Sequence, residues 1–337
     1  MQRYADHVRI PRGNMLNKFV KVTREGKYEK PPHAKFNYTT MVMVRTGMVE
    51  GSFETLGKSV TICVRYSVVR RQGGSDPGEP EKQILDYKTQ QQMVFHHLSV
   101  AYAVLFAGKF LRQLFNTFAH RTDDQDFSVL PELHATSAGL KALTTELAAE
   151  GAEYLRRYCG GHGFHKFSGL PDLLNDHLPQ VTGEGVNPVL YLQTARYLVR
   201  QVENVRKGAA IPSTLAYLAN YKPNSPGRFS ATRPEDLLKP GVLLEAFRHR
   251  AARLIFEGAE AVTDLQKKRG LAFEKAIDEV SPDLVTAAKA HGTLFLVNSF
   301  IEIISVSFCL FELRYTDGLT FFFSFNFLSS SKHPMSS

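Results

Sequence analysis

Glu184 lies between two glycines in the turn Thr182-Gly183-Glu184-Gly185-Val186-Asn187. A carboxylate so flanked has little side-chain bulk around it, and glycine permits the backbone angles that bring it close to a substrate carbon. The same residues also make an ordinary acidic turn ahead of a helix. Two further motifs accompany it. Cys159-Gly160-Gly161-His162-Gly163-Phe164 comes shortly before, and Arg70-Arg71-Gln72-Gly73 ends the first long periodic segment. Gly160 and Gly161 read as a helix C-cap. Arg70 and Gln72 read as a solvated helix end, where basic residues are favoured. His162 reads as structural or solvent-facing, and Cys159 as a thiol without a redox role.

These residues must be positioned by helices. From about Thr39 to Arg71, Met43, Gly47, Val49, Phe53, Leu56, Val60 and Val64 recur at three- and four-residue spacing. The breakers Gly73-Gly74-Ser75-Asp76-Pro77-Gly78 close that helix. A second runs from about Ile84 to Phe118, and a third from Leu130 to Tyr158 with Pro131 and Glu132 in its first turn. A fourth begins near Pro188. Together they predict an antiparallel four-helix bundle over 37–207. Residues 208–233, rich in Pro, Ser and Asn, read as a linker. A partial helical domain over 234–305 follows, with helices near Pro234–Gln266 and Pro282–Ser305. Residues 1–36 read as extended, and 306–337 as an atypical Phe/Ser-rich tail. The fold class expected is all-α.

Composition narrows the function. The chain has 337 residues, 43% hydrophobic and 22% charged, with a formal charge of +8. Those proportions are ordinary for a globular protein. Arg45, Lys58, Arg65, Lys141 and Lys207 are scattered rather than clustered, and read as a mildly basic surface suited to anions such as nucleotide phosphates. No nucleic-acid-binding motif accompanies them. Cys63, Cys159 and Cys309 are far apart and odd in number, so neither a disulfide framework nor a metal site is expected. The apolar stretch from Thr293 to Phe311 contains Asn298 and Glu302. One central carboxylate costs about 2.5–3.5 kcal/mol on insertion, so no membrane span is expected. The N-terminus has no apolar signal core, and Pro334-Met335-Ser336-Ser337 is not a peroxisomal tripeptide.

In order along the chain, several segments resemble the acyl-CoA oxidases, in particular plant-like peroxisomal ones. They are Asp6-His7-Val8-Arg9-Ile10-Pro11-Arg12, Lys21-Val22-Thr23-Arg24-Glu25-Gly26, Arg65-Tyr66-Ser67-Val68-Val69-Arg70-Arg71-Gln72, and Asp86-Tyr87-Lys88-Thr89-Gln90-Gln91. Leu130-Pro131-Glu132-Leu133-His134-Ala135, the Cys159–Phe164 motif, Ser168-Gly169-Leu170-Pro171 and the Glu184 turn complete the series. The resemblance covers about residues 6–304. Any one motif is common, but the ordered set is specific.

The resemblance implies the C-terminal half of a peroxisomal flavoenzyme of fatty acid β-oxidation. It implies FAD as cofactor, and fatty acyl-CoA and molecular oxygen as reactants. Glu184 would remove the α proton, FAD would take the β hydride, and oxygen would then yield hydrogen peroxide. Arg70 and Gln72 resemble residues that contact the flavin pyrophosphate across a subunit interface, and a guanidinium suits that anion. Gly160 and Gly161 resemble a backbone approach to the nucleotide, and Gly185 belongs to the base's turn. On this reading 1–36 is a remnant of the family's middle β domain and 37–207 its flavin-binding helical domain. The chain departs from the pattern at Gly183, where an aromatic is usual, at Val186, where an acid is usual, and at Gly73. The family's N-terminal helical domain and most of its β domain have no counterpart here, which implies little or no activity for the chain alone. It would act as a homodimer or with a full-length oxidase. A non-catalytic helical protein that pairs with intact oxidase subunits is the competing expectation.

Overall fold

The computed structural model describes residues 4–15, 17, 20–30, 39–74, 76–123, 126–223 and 229–310, with no side-chain description at 122, 123 and 306–310. The tail from 311 onward lies outside these residues, as does the segment 31–38 before the first helix. Of the described residues, 76% are helical and 2% lie in strands. Its long helices are α1 (Thr39–Val69), α2 (Lys88–Asp123), α3 (Leu130–Arg157), α5 (Asn187–Arg206), α7 (Pro240–Arg269) and α9 (Ser281–Leu310). Shorter ones are α4 (Leu170–His177), α6 (Ala216–Ala219) and α8 (Phe273–Glu279). The strands are β1 (Lys21–Val22) and β2 (Tyr28–Glu29), an exposed antiparallel hairpin.

Helix ends follow local chemistry. Pro131 opens α3, Glu132 sits in its first turn and Arg156 and Arg157 in its last, each favourable to the helix dipole. Pro240 opens α7, and Gly270 closes it in the left-handed region at φ 64.

Cross-contacts fix the directions. Gln90 Nε2 donates to Ser67 Oγ at 2.8 Å, and Arg112 Nε donates to Glu50 Oε1 at 2.9 Å, so α2 runs antiparallel to α1. Gln90 Nε2 also donates to Tyr158 O, and His97 stacks on Tyr154, which sets α3 antiparallel to α2. Asn187 Nδ2 donates to Ala142 O and Thr194 Oγ1 to Ala135 O, which turns α5 back along α3. The predicted up-and-down order is present. α5 packs chiefly on α3 and α9 rather than on α1. α9 lies against α2, α3 and α5, with Phe110–Phe295 and Phe106–Phe300 ring pairs at 5.1 and 6.0 Å.

One apolar core runs from Val42 in α1 to Phe300 in α9. Within the stretch read as a linker, Ser213–Ala219 folds into short helical turns that bury Leu215 and Leu218. α3 is the central element. Ala135 to Thr145 is buried on every side, the mark of a helix enclosed by others. α1 buries Thr46, Ser52, Ser59 and Ser67 along with its apolar residues. Each hydroxyl donates to the carbonyl four residues back, so these groups enter the core satisfied. Two helices, over 88–121 and 281–305, are long and apolar enough to cross a membrane, but most of each apolar window is buried in this core.

Candidate active site

The segment from Cys159 to Asn187 is laid along α1 towards its N-terminal end. Cys159 and Cys63 share a small core cluster. His177 meets Thr55, Gln180 approaches Gly51, Gly183 lies beside Met48, and Glu184 reaches Arg45. Gly169 at φ 74 turns the segment into α4, whose Leu170 and His177 are buried. His177 is held from two sides. Its Nδ1 is 3.2 Å from Thr55 Oγ1, and its Nε2 donates to Thr145 O at 3.1 Å. Burial, and secondarily the charge of Lys141, pushes its pKa below the ordinary histidine value.

Glu184 adopts φ 55, in the left-handed region that glutamate rarely enters. Two buried cations hold the backbone there. Arg45 donates from Nε and Nη2 to Glu184 O at 3.1 and 2.9 Å. Lys141 Nζ donates to Val181 O at 3.3 Å, Gly185 O at 2.9 Å and Asn187 Oδ1 at 2.9 Å. Asn187 in turn donates to Ala142 O and Thr145 Oγ1, which locks the start of α5 to α3. Gly185 has φ 114, and a Cβ there would stand 2.7 Å from Leu190 Cδ2, so only glycine fits. Glu184 itself is half-buried, and its carboxylate has no hydrogen bond or ion pair among the described residues.

Arg45 and Lys141 are 4% and 0% exposed, which corrects their reading as surface charges. Desolvation pushes both pKa values down, Lys141 to about 8. Arg45's charge lowers Lys141 further, while the charge of Glu184 acts on both cations in the opposite sense. Sequence periodicity missed these two residues. A lysine amid Ala138-Gly139-Leu140 and Ala142-Leu143 was the available signal, since such a run is buried on all sides.

The other candidate residues gather at the opposite end of α1. Arg70 and Gln72 are exposed, with Arg70 Nη2 donating to Gln72 Oε1 at 3.4 Å. Their backbone is fixed by Gln72 N to Lys82 O, Ile84 N to Arg70 O, and Tyr87 Oη to Gln72 O. Gly160 and Gly161 open a 3₁₀ turn next to this end, where the His162 ring lies 5.3 Å from Tyr66. Gly160 has φ 57, and a Cβ on either glycine would meet nothing within 4 Å. Gly163 is different: its Cβ would fall 1.9 Å from Arg156 O. Arg45 and Val69 are 24 positions apart on one helix, roughly 36 Å at 1.5 Å per residue. The structure therefore places Arg70 and Gln72 toward the same end of α1 as Gly160 and Gly161. It does not bring them to Glu184 and Gly185 within one chain.

No group of metal-ligating side chains occurs among the described residues. A cavity of about 790 Å³ opens elsewhere, between α2, the 213–222 turn, α7 and α9. None of the candidate residues lines it.

The helical architecture is shared with known proteins. Residues 38–199 match the family model "Acyl-CoA oxidase, C-alpha1 domain", and residues 239–316 match "Acyl-CoA oxidase". Peroxisomal acyl-coenzyme A oxidase 1 of Arabidopsis thaliana is 42% identical over 297 residues, covering 88% of this chain and 44% of that protein. The Homo sapiens protein of the same name is 41% identical over 303 residues, covering 88% and 45%. The structure of Arabidopsis thaliana acyl-CoA oxidase 1 superposes with a TM-score of 0.82 at 42% identity, covering 89% of this chain and 45% of that one. Acyl-CoA oxidase-1 of Caenorhabditis elegans complexed with FAD and ATP gives 0.81 at 31%, covering 94% and 46%. The chain thus spans about half the length of the relatives it matches. It belongs to the acyl-CoA oxidase family and corresponds to the C-terminal half of the oxidase fold.

Proposed function

We propose that this chain supplies the proton-abstracting base and the phosphate-binding end of an acyl-CoA oxidase reaction. That reaction is FAD-dependent α,β-desaturation of a fatty acyl-CoA to the trans-2-enoyl-CoA, with peroxide formed from oxygen. The observation that carries the reading is the tethered turn. A carboxylate with no hydrogen bond or ion pair among the described residues is carried on a backbone fixed by Arg45 and Lys141.

An α C–H beside a thioester is a weak acid, so a base must be held against it. The clamp fixes the backbone that carries Glu184 and leaves its carboxylate free to accept the proton. Arg70 and Gln72 offer a guanidinium and an amide to an anion, and Gly160 and Gly161 leave open space through which a phosphate can approach the backbone. These residues fit the pyrophosphate of FAD. When bound, FAD supplies the hydride acceptor and the reaction with oxygen. Since the two ends of α1 are too far apart to share one nucleotide, a second chain must complete each site, either a copy of this one or a full-length oxidase. Curated relatives are named peroxisomal, which supports that compartment.

The experiment is reconstitution. The chain is purified with FAD and assayed for peroxide with a long-chain acyl-CoA, alone and co-expressed with the part of a relative that it does not match. The chain alone is expected to give little or no peroxide. The reconstituted protein is expected to turn over, and Glu184→Gln to reduce that rate by about 10²–10⁴-fold. Equal rates with Glu184→Gln would sink the base assignment.

A second reading rests on the exposed end. Val69, Phe164 and Phe167 are 74%, 74% and 96% exposed there, an apolar surface of the kind that pairs with another chain. A non-catalytic partner for intact oxidase subunits would use that surface and leave Glu184 idle. Co-purification with a full-length oxidase, unchanged by Glu184→Gln but lost with Phe164→Ser and Phe167→Ser, would favour it.

A further inference from the structure

We infer that Lys141 and Arg45 are positioning residues for the base, gripping the main chain of its turn so that the carboxylate of Glu184 is aimed while remaining free. The inference rests on the reading of Glu184 as the base.

Three observations carry it. First, every hydrogen bond described for the two cations ends between 181 and 187, and all but one of the acceptors are backbone carbonyls. The carbonyls of Glu184 and Gly185 are consecutive, and each is taken by a different cation. This defines the path of the chain through Glu184, which is held at φ 55 in the left-handed region. Such a conformation persists only where its surroundings over-determine it. Second, both cations are more than nine-tenths buried and neither forms an ion pair among the described residues. Burying two positive charges against neutral carbonyls costs folding free energy. A core designed for stability alone has cheaper fillers for those positions. Third, Arg45 Nη1 is buried with no hydrogen-bond partner among the described residues, so that nitrogen remains uncommitted beside the turn. The titratable groups around Lys141 are Arg45 from α1, Glu146 from α3, His177 from α4 and Glu184 itself.

The test uses Lys141→Met and Arg45→Lys in the full chain, with hydrogen exchange measured for each segment by mass spectrometry. If the inference holds, amides of 181–187 exchange roughly tenfold faster in both variants, the loss of about one hydrogen bond of protection, while α2 and α5 keep their rates. In the reconstituted oxidase, kcat then falls by roughly 100-fold with KM nearly unchanged, the signature of misplacement rather than lost binding. If Lys141→Met fails to fold, Arg45→Lys carries the test, since it keeps the charge and removes the paired grip. Unchanged exchange in the turn overturns the inference. Faster exchange with unchanged kcat overturns it too. If Glu184→Gln is also silent in that assay, it is the base assignment that has failed.

Discussion

At the N-terminal end of α1 two buried cations grip the turn that carries Glu184, with three acceptors around Lys141 Nζ alone. At the C-terminal end Arg70, Gln72, Gly160 and Gly161 stand in solvent, and the two glycines face empty space. The first arrangement fixes a shape within the chain. The second holds its backbone and leaves its donors available to something outside. An enclosed network that grips the main chain indicates a geometry that must not change. An open one with a rigid backbone indicates a partner still to come.

The comparison can be pressed at four places. The largest expected effect tests whether the open end is truly anchored beneath. Gly163→Ala places a Cβ against Arg156 O and should cost about 3 kcal/mol in urea unfolding. Gly161→Ala, two residues earlier and facing open space, should cost almost nothing. Equal losses would dissolve the distinction between anchor and open face.

Acid probes the enclosed polar groups next. Burial pushes His97 to about 3 and His291 to about 4, and also depresses His177 beside the turn. Their imidazoles are neutral in the fold, whereas the unfolded chain takes up protons near 6.5. The unfolded state therefore binds more protons below that value, and stability falls as pH drops from about 6.5 towards the folded values. At pH 5 the loss is about 2 kcal/mol each for His97 and His291. It would appear as a lower thermal midpoint than at pH 7.5, and a flat profile across this range would contradict the enclosure.

Gly160→Ala should cost about 1 kcal/mol, because φ 57 disfavours a Cβ although nothing blocks it. Thermal unfolding of that variant separates backbone strain from packing. The smallest effect is the sharpest for function. Arg70→Ala should change stability by less than about 0.5 kcal/mol, yet weaken FAD retention in the reconstituted protein. A large fall in stability would mean that this arginine is structural.

The helices were legible in the sequence where period and punctuation agreed. Pro131, Pro188 and the Gly73–Gly78 loop mark boundaries within a few residues of those observed. The buried face of α1 was only half legible. Val49, Leu56 and Val60 announce it, but Thr46, Ser52, Ser59 and Ser67 fill it with hydroxyls that satisfy themselves locally. Hydropathy gives such residues no inward vote. Met43, counted as apolar face, is 47% exposed. Leu215 and Leu218 were hidden by the Pro- and Asn-rich residues around them. Glu184, Gly160 and Arg70 could be picked out as chemistry-bearing by type and by resemblance. Arg45 and Lys141 could not, because charge argues for the surface until a structure supplies acceptors in the interior. The separation of the two ends was also unreadable, since nothing in the spacing from Cys159 to Asn187 says that this segment follows α1.

A mould that grips main-chain oxygens is nearly indifferent to lettering. Thr182 and Val186 contribute no side chain to the clamp, and both are exposed. Either can drift in identity while the peptide path is conserved. Val186 leaves the clamp as it is, so the path that carries Glu184 can outlast the motif by which it would be recognised.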